Sequence, residues 1–121
     1  MFSQQVLDHF QNPRNAGELA PPATTVELTN PVCGDILRLS LRLENSAIAE
    51  ARFKARGCVA AIACGSALTE LVSGKPVNEA RAITAARIAA QLGGLPPESG
   101  HAAVLACDAL RAALAGAGGP S

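Results

Sequence analysis

The residues of this chain best suited to chemistry are Cys33, Asp35, Cys58 and His101. Cys33 and Asp35 stand in the run Asn30-Pro31-Val32-Cys33-Gly34-Asp35, and Cys58 follows Arg56-Gly57. Two thiols, a carboxylate and an imidazole are the parts of a four-ligand metal site. Zinc takes four such ligands tetrahedrally. A [2Fe–2S] cluster also needs four protein ligands, and His can replace Cys on it. A carboxylate is a harder ligand than a thiolate, so Asp35 holds iron–sulfur less firmly, which suits a cluster meant to be handed on. A Cys–His hydrolase would need His101 as base to one thiol and an oxyanion site besides, and nothing else in the chain supports one.

The two remaining cysteines read differently. With residues about 100° apart on a helix, Cys64 groups with Ala61, Leu68, Leu71 and Val72, and Cys107 with Ala103, Leu110 and Leu114. Both fall in an apolar stripe and are expected in the core as small buried residues.

The elements that must aim the quartet follow from periodicity. Ser3 to Gln11 reads as a short helix with Ser3 as N-cap and Val6, Leu7 and Phe10 on one side. Asn12-Pro13 breaks it, and Pro21-Pro22 is expected to keep the chain extended. Three alternating stretches come next: Thr24–Thr29, Ile36–Leu43 and Ala47–Arg56. The second puts Leu37, Leu39, Leu41 and Leu43 on one face, and the third puts Ala49, Ala51, Phe53 and Ala55 there. The opposite face carries Arg38, Arg42, Arg52, Lys54 and Arg56, read as a solvated basic face. The period then changes to helical over Val59–Val72, Val77–Arg81, Thr84–Leu92 and a last helix capped by Ser99 and ending near Leu114. Strands first and helices after imply an α+β fold, a three-stranded antiparallel sheet with helices packed on one face. Cys33 falls in a loop between strands, and Cys58 at a helix start, where free N–H groups are expected to stabilise its thiolate. His101 falls near the start of the last helix.

Residues 1–121 fit one domain, with Ala115–Ser121 expected as a frayed tail. Apolar residues make up 49%, but with three Phe and no Trp or Tyr the core must be built from Leu, Ile, Val and Ala. A formal net charge of zero and so few aromatic residues argue against nucleic acid or a membrane surface as partner. No signal peptide and no spanning segment are evident, and four Cys without a secretory signal read as reduced thiols or metal ligands, so the cytoplasm is the expected compartment.

Several runs occur in a telling order: His9-Phe10-Gln11-Asn12-Pro13-Arg14-Asn15-Ala16-Gly17, Cys33-Gly34-Asp35, Ala51-Arg52-Phe53-Lys54-Ala55-Arg56-Gly57-Cys58, Thr69-Glu70-Leu71-Val72-Ser73-Gly74-Lys75 and Leu95-Pro96-Pro97. Together they resemble the iron–sulfur cluster scaffold proteins of the IscU/NifU N-terminal type, over about residues 3–114. The resemblance implies a fold of three antiparallel strands packed by helices. It also implies a non-enzymatic role: taking sulfur from a cysteine desulfurase, assembling a transient [2Fe–2S] cluster and delivering it to acceptor proteins. Cys33, Asp35 and Cys58 match the family's first cysteine, its aspartate and its second cysteine, and His101 matches the histidine before its third cysteine. The third cysteine is replaced by Ala102, and the family's Leu-Pro-Pro-Val-Lys, read by a specialised chaperone, is here Leu95-Pro96-Pro97-Glu98-Ser99.

Three functions follow as expectations. The first is a scaffold or carrier that holds a labile [2Fe–2S] cluster on Cys33, Asp35, Cys58 and His101, as a monomer or weak homo-oligomer. The second is a zinc-dependent sulfur relay working with a desulfurase. The third, motivated by Ala102, is a diverged paralogue with a structural or regulatory zinc site. Zinc is the metal expected in protein purified in air, because it is redox-inert and binds this ligand set well.

Overall fold

Leu37, Leu39 and Leu41, each at most 1% exposed, lie at the centre of the molecule. They belong to β2 (Ile36–Glu44), which pairs antiparallel with β1 (Thr24–Thr29) on one side and β3 (Ala47–Arg56) on the other. The sheet order is β1-β2-β3, the meander that short hairpin loops between alternating runs dictate. The computed structural model describes residues 2–117. Five helices follow or precede the strands: α1 (Gln4–Gln11), α2 (Val59–Val72), α3 (Val77–Ala80), α4 (Ala85–Gln91) and α5 (Gly100–Ala117).

α2 packs on β3, and α5 packs on β1 and β2, so the two long helices cover the leucine face of the sheet. α1 packs on α2, and α4 on α5. α2 and α5 are rich in Ala at their buried positions, including Ala60, Ala63, Ala67, Ala106 and Ala109, which lets the helices approach closely. Each fully buried Leu adds about 2 kcal/mol of burial to this core. No helix among the described residues is long and apolar enough to cross a membrane.

The observed architecture is the α+β sheet-and-helix fold that the periodicity implies, with local differences. A bulge lies between the pairs Arg42↔Glu50 and Leu43↔Ile48. It inserts Ala49 as an extra residue and resets the phase of β3. Ile48 is therefore fully buried and Ala49 exposed, the reverse of simple alternation. Pro21-Pro22 forms a turn rather than an extended run, with Ala23 N–H donating to the Ala20 carbonyl at 3.2 Å. Ser3 caps α1 as expected, its hydroxyl oxygen accepting from Val6 N–H. The buried face of that helix is Val6 and His9, however, and Leu7 is 37% exposed. Ser99 is not a cap: it ends a 3₁₀ turn over Pro97–Ser99 that runs straight into α5. α5 continues through Ala117, so Ala115–Ala117 of the expected tail are helical, and residues 118–121 lie outside the described residues.

The outer face of the sheet is not a free basic surface. Arg38 pairs with Glu18 and Glu27, Arg42 with Glu44 and Glu50, Arg52 with Glu50, and Lys54 approaches Glu18 at 3.9 Å. Exposed pairs of this kind add little stability, about 0–1 kcal/mol each. Their effect is to neutralise the face, leaving Arg56 as the one of these five cations without an acidic partner among the described residues.

Candidate metal centre

The β1–β2 loop is a tight turn built by Asn30. Its side-chain oxygen accepts the N–H groups of Val32 (2.9 Å) and Cys33 (3.4 Å), its carbonyl accepts Gly34 N–H, and its own N–H donates to the Asp35 carbonyl. Such side-chain-to-backbone turns are why Asn favours loop entrances. Gly34 closes the turn at φ +76°. Cys33 is thereby held at the exposed tip, and Asp35 is brought back beneath it, 3% exposed.

Asp35 is fixed from the opposite side by the β3–α2 junction. Cys58 N–H donates to Asp35 Oδ1 at 3.1 Å, and the Cys58 thiol donates to Oδ2 at 3.3 Å. Gly57, at φ +139°, leaves room for this carboxylate, because a Cβ at residue 57 would overlap Oδ1. Cys58 is the N-cap of α2, its sulfur accepting Ala61 N–H at 3.4 Å. The expected thiolate stabilisation is outweighed, however. Burial, with a further push from the Asp35 carboxylate, raises the Cys58 thiol above its ordinary range despite the opposing pull of the Ala61 and Ala60 N–H groups.

His101 reaches the same point from the first turn of α5. Its Nε2 lies 3.0 Å from Cys33 Sγ and 3.7 Å from Asp35 Oδ2. Cys33, Asp35 and His101 offer ligand atoms that all lie within 4.8 Å of one another. Cys58 stands outside that group of three but touches Asp35, so the four residues form a continuous chain, Cys58–Asp35–His101–Cys33. The donor set of two sulfurs, one oxygen and one nitrogen suits a four-coordinate soft or borderline metal.

Cys64 and Cys107 lie in the core, 0% and 3% exposed. Burial pushes the Cys64 thiol up to about 12, and Cys107 donates weakly to the Ile83 carbonyl. Neither is a ligand in this geometry. Ala102, beside His101, is 1% exposed and packs within the hydrophobic core. The Leu95-Pro96-Pro97 run forms the connection before α5, and Glu98 is exposed.

Sequence reasoning passed over two supports of this arrangement. One is Gly57 as the space that Asp35 fills; its signal was the Gly directly before Cys58. The other is a polar knot that ties the turn after α1 to α2. Ser66 Oγ lies 2.7 Å from His9 Nδ1 and accepts Arg14 N–H, Thr69 Oγ1 accepts from Asn15, and Glu70 faces both His9 and Arg14. Burial, reinforced by Arg14 and opposed by Glu70 and Asp8, lowers the His9 pKa.

Residues 1–116 match the family model described as the NifU-like N terminal domain. The chain belongs to the NifU-like N-terminal family. This NifU-like chain is 43% identical over 114 residues to the iron–sulfur cluster assembly scaffold protein IscU 1 of Archaeoglobus fulgidus, covering 94% of this chain and 74% of that protein. It is 42% identical over 118 residues to the IscU scaffold proteins of Haemophilus influenzae and of Escherichia coli K12, covering 94% of this chain and 93% and 91% of theirs. Two solved structures share the fold at low identity. One is a NifU-like N-terminal protein from Brucella abortus, with TM-score 0.76, 18% identity, and 98% and 95% of the two chains covered. The other is a candidate iron–sulfur cluster assembly scaffold of the SUF system from Fervidobacterium islandicum, with TM-score 0.78, 20% identity, and 93% and 96% covered. The α+β fold of this NifU-like chain is thus the one those two structures have.

Proposed function

We propose that this protein is an iron–sulfur cluster assembly scaffold that binds a labile [2Fe–2S] cluster, or zinc in its place, through Cys33, Asp35, Cys58 and His101, and passes the cluster to acceptor proteins. One observation carries the reading: a thiol, a buried carboxylate and an imidazole from two separate elements converge within 4.8 Å, with a second thiol on the carboxylate. The relatives named as IscU scaffolds support it over nearly the whole chain. In this reading the cluster is cargo. Asp35 keeps its hold weak, because a hard oxygen competes poorly with thiolate for the iron of a cluster. The protein supplies position and ligands rather than bond-making groups, and its partners are a cysteine desulfurase and the acceptors.

Anaerobic reconstitution with iron and sulfide tests this directly. Visible absorbance of a [2Fe–2S] cluster is expected in the parent chain and absent in Cys33→Ser. Unchanged absorbance in that variant sinks the ligand assignment.

A second reading has its own observation. Cys33 is exposed, and its sulfur sits 3.0 Å from the His101 imidazole, so it is open to a partner with a ring nitrogen beside it. A sulfur relay would use it as follows. The Cys33 thiolate attacks the outer sulfur of a desulfurase persulfide, the new S–S bond forms as the old one breaks, and the desulfurase cysteine leaves as thiolate. Mass spectrometry after incubation with a desulfurase and cysteine tests the relay: no sulfane sulfur on Cys33 excludes it, and sulfane sulfur there on a chain that forms no cluster on reconstitution favours it over the scaffold.

A further inference from the structure

β3 is an edge strand, and its free backbone edge is only partly covered. At Phe53 the turn after α1 lies against it: Phe53 N–H donates to the Asn15 carbonyl at 3.0 Å, and Gly17 N–H donates to the Phe53 carbonyl at 2.8 Å. Near the start of the strand, Ile48 pairs in the same way with Gly74 and Lys75. Ala55 stands two residues beyond Phe53, so its N–H and C=O point to the same outer side. They have no backbone partner there among the described residues.

This open stretch of edge lies in a groove about 920 Å³ in volume. Phe10, Pro13 and Ile62 give the groove an apolar wall on the helical side. Lys54 and Arg56 flank Ala55 and project on the other side, both exposed. Arg38 and Glu27 also border the groove but pair with each other. The unbalanced charge is therefore positive, from Arg56, with Lys54 beside it held only by a long 3.9 Å contact to Glu18.

We propose that this groove seats an extended, acidic segment of a partner protein, added as a short strand on the edge of β3 at Ala55. Main-chain bonds to Ala55 give such a segment its register. Alternate apolar side chains meet Phe10, Pro13 and Ile62, and the acidic side chains between them meet Lys54 and Arg56. The charges select against the simplest other occupant, a second copy of this chain. Antiparallel pairing of two such edges about Ala55 sets Lys54 opposite Arg56 twice, and like charges directly opposite each other destabilise a sheet. The docked segment would run beside Gly57-Cys58 and so bring its owner to the metal centre. The inference goes beyond the proposed function and does not depend on what the centre holds.

The test uses the full chain freed of metal with a chelator, so that failure here says nothing about cluster binding. The probe is a short capped peptide of alternating Glu and Val, with a Lys and Val peptide as control, followed by amide shifts in nuclear magnetic resonance. Shifts are expected at Ala55, Arg56 and Ile62 with the acidic peptide alone. The double variant K54E/R56E is expected to weaken binding at least about tenfold. Ala55→Pro removes an N–H that takes no part in the ladder to β2, so it is expected to abolish binding while the sheet stays folded. Should that variant not fold, the charge-reversal variant decides. Equal binding of the basic peptide, shifts confined to another surface, or undiminished affinity in K54E/R56E overturns the proposal. So does a concentration-dependent dimer, seen by sedimentation, that competes with the peptide.

Discussion

Asp35 occupies the space that any side chain at position 57 would need: a Cβ on Gly57 would overlap the carboxylate oxygen that accepts Cys58 N–H. The pair works as one unit. Glycine at φ +139° shapes the junction between β3 and α2, and the carboxylate fills the hollow so formed.

Gly57→Ala is therefore expected to displace Asp35 and impose backbone strain together. The stability cost should be about 1–3 kcal/mol, measured by urea unfolding of the metal-free chain. Cobalt(II) titration should show affinity falling at least about tenfold. Native affinity in this variant would remove Asp35 from the ligand set.

Metal should stabilise the fold, because the proposed ligands come from the β1–β2 loop and from the starts of α2 and α5. Zinc in excess is expected to raise the melting temperature by about 5 °C or more. Chelation should reverse the rise, and Cys33→Ser should abolish it. Differential scanning calorimetry reads all three.

Ala102→Cys sets a thiol next to His101. With cobalt(II) bound, the thiolate-to-metal absorption is expected to rise by roughly half, as two thiolate ligands become three. Added volume at a site 1% exposed should cost no more than about 1–3 kcal/mol. Absorption equal to the parent's would mean that this position faces away from the metal.

Cys64 gives a pH signature. Its thiol is pushed up to about 12 in the fold by burial, against roughly 8.5 in an unfolded chain. The folded pKa is the higher one, so the fold gains from Cys64 fully below the unfolded value. That gain is lost as pH rises from about 9 toward 12. Metal-free Cys64→Val is expected to lose less stability over this alkaline window than the parent, by denaturant titration at each pH. Parallel pH profiles for the two proteins would contradict it.

The bulge in β3 makes a sharp contrast between neighbours. Ile48→Ala should cost about 2–5 kcal/mol, while Ala49→Ser should stay within about 0.5 kcal/mol. Equal costs at both positions would restore simple alternation.

Much of this was legible in the residues themselves. Alternation of Leu37, Leu39 and Leu41 with Arg38 and Ser40 marks a half-buried strand without ambiguity, and the stripes holding Cys64 and Cys107 mark buried helix faces. The run Ala47-Ile48-Ala49 is apolar at every position, so no pattern could say which residue turned inward; the bulge decided that. The pairing of Arg38 with Glu18 and Glu27 was illegible because it joins residues far apart in the chain. The same holds for Cys58. A helix start alone argues for a stable thiolate, but the Asp35 carboxylate that opposes it arrives from the distant β1–β2 loop.

One asymmetry of the candidate metal centre would set a direction of traffic. Asp35 forms its buried floor, with a side chain 4% exposed, while His101 at 36% and the exposed Cys33 form its rim. On the proposed function, cargo held there would enter and leave on the exposed side, past Cys33, His101 and the exposed Cys58. An acceptor approaching from that side would displace the rim groups first and Asp35 last. Release would then be a stepwise exchange at an open doorway, with no need for the core behind it to part.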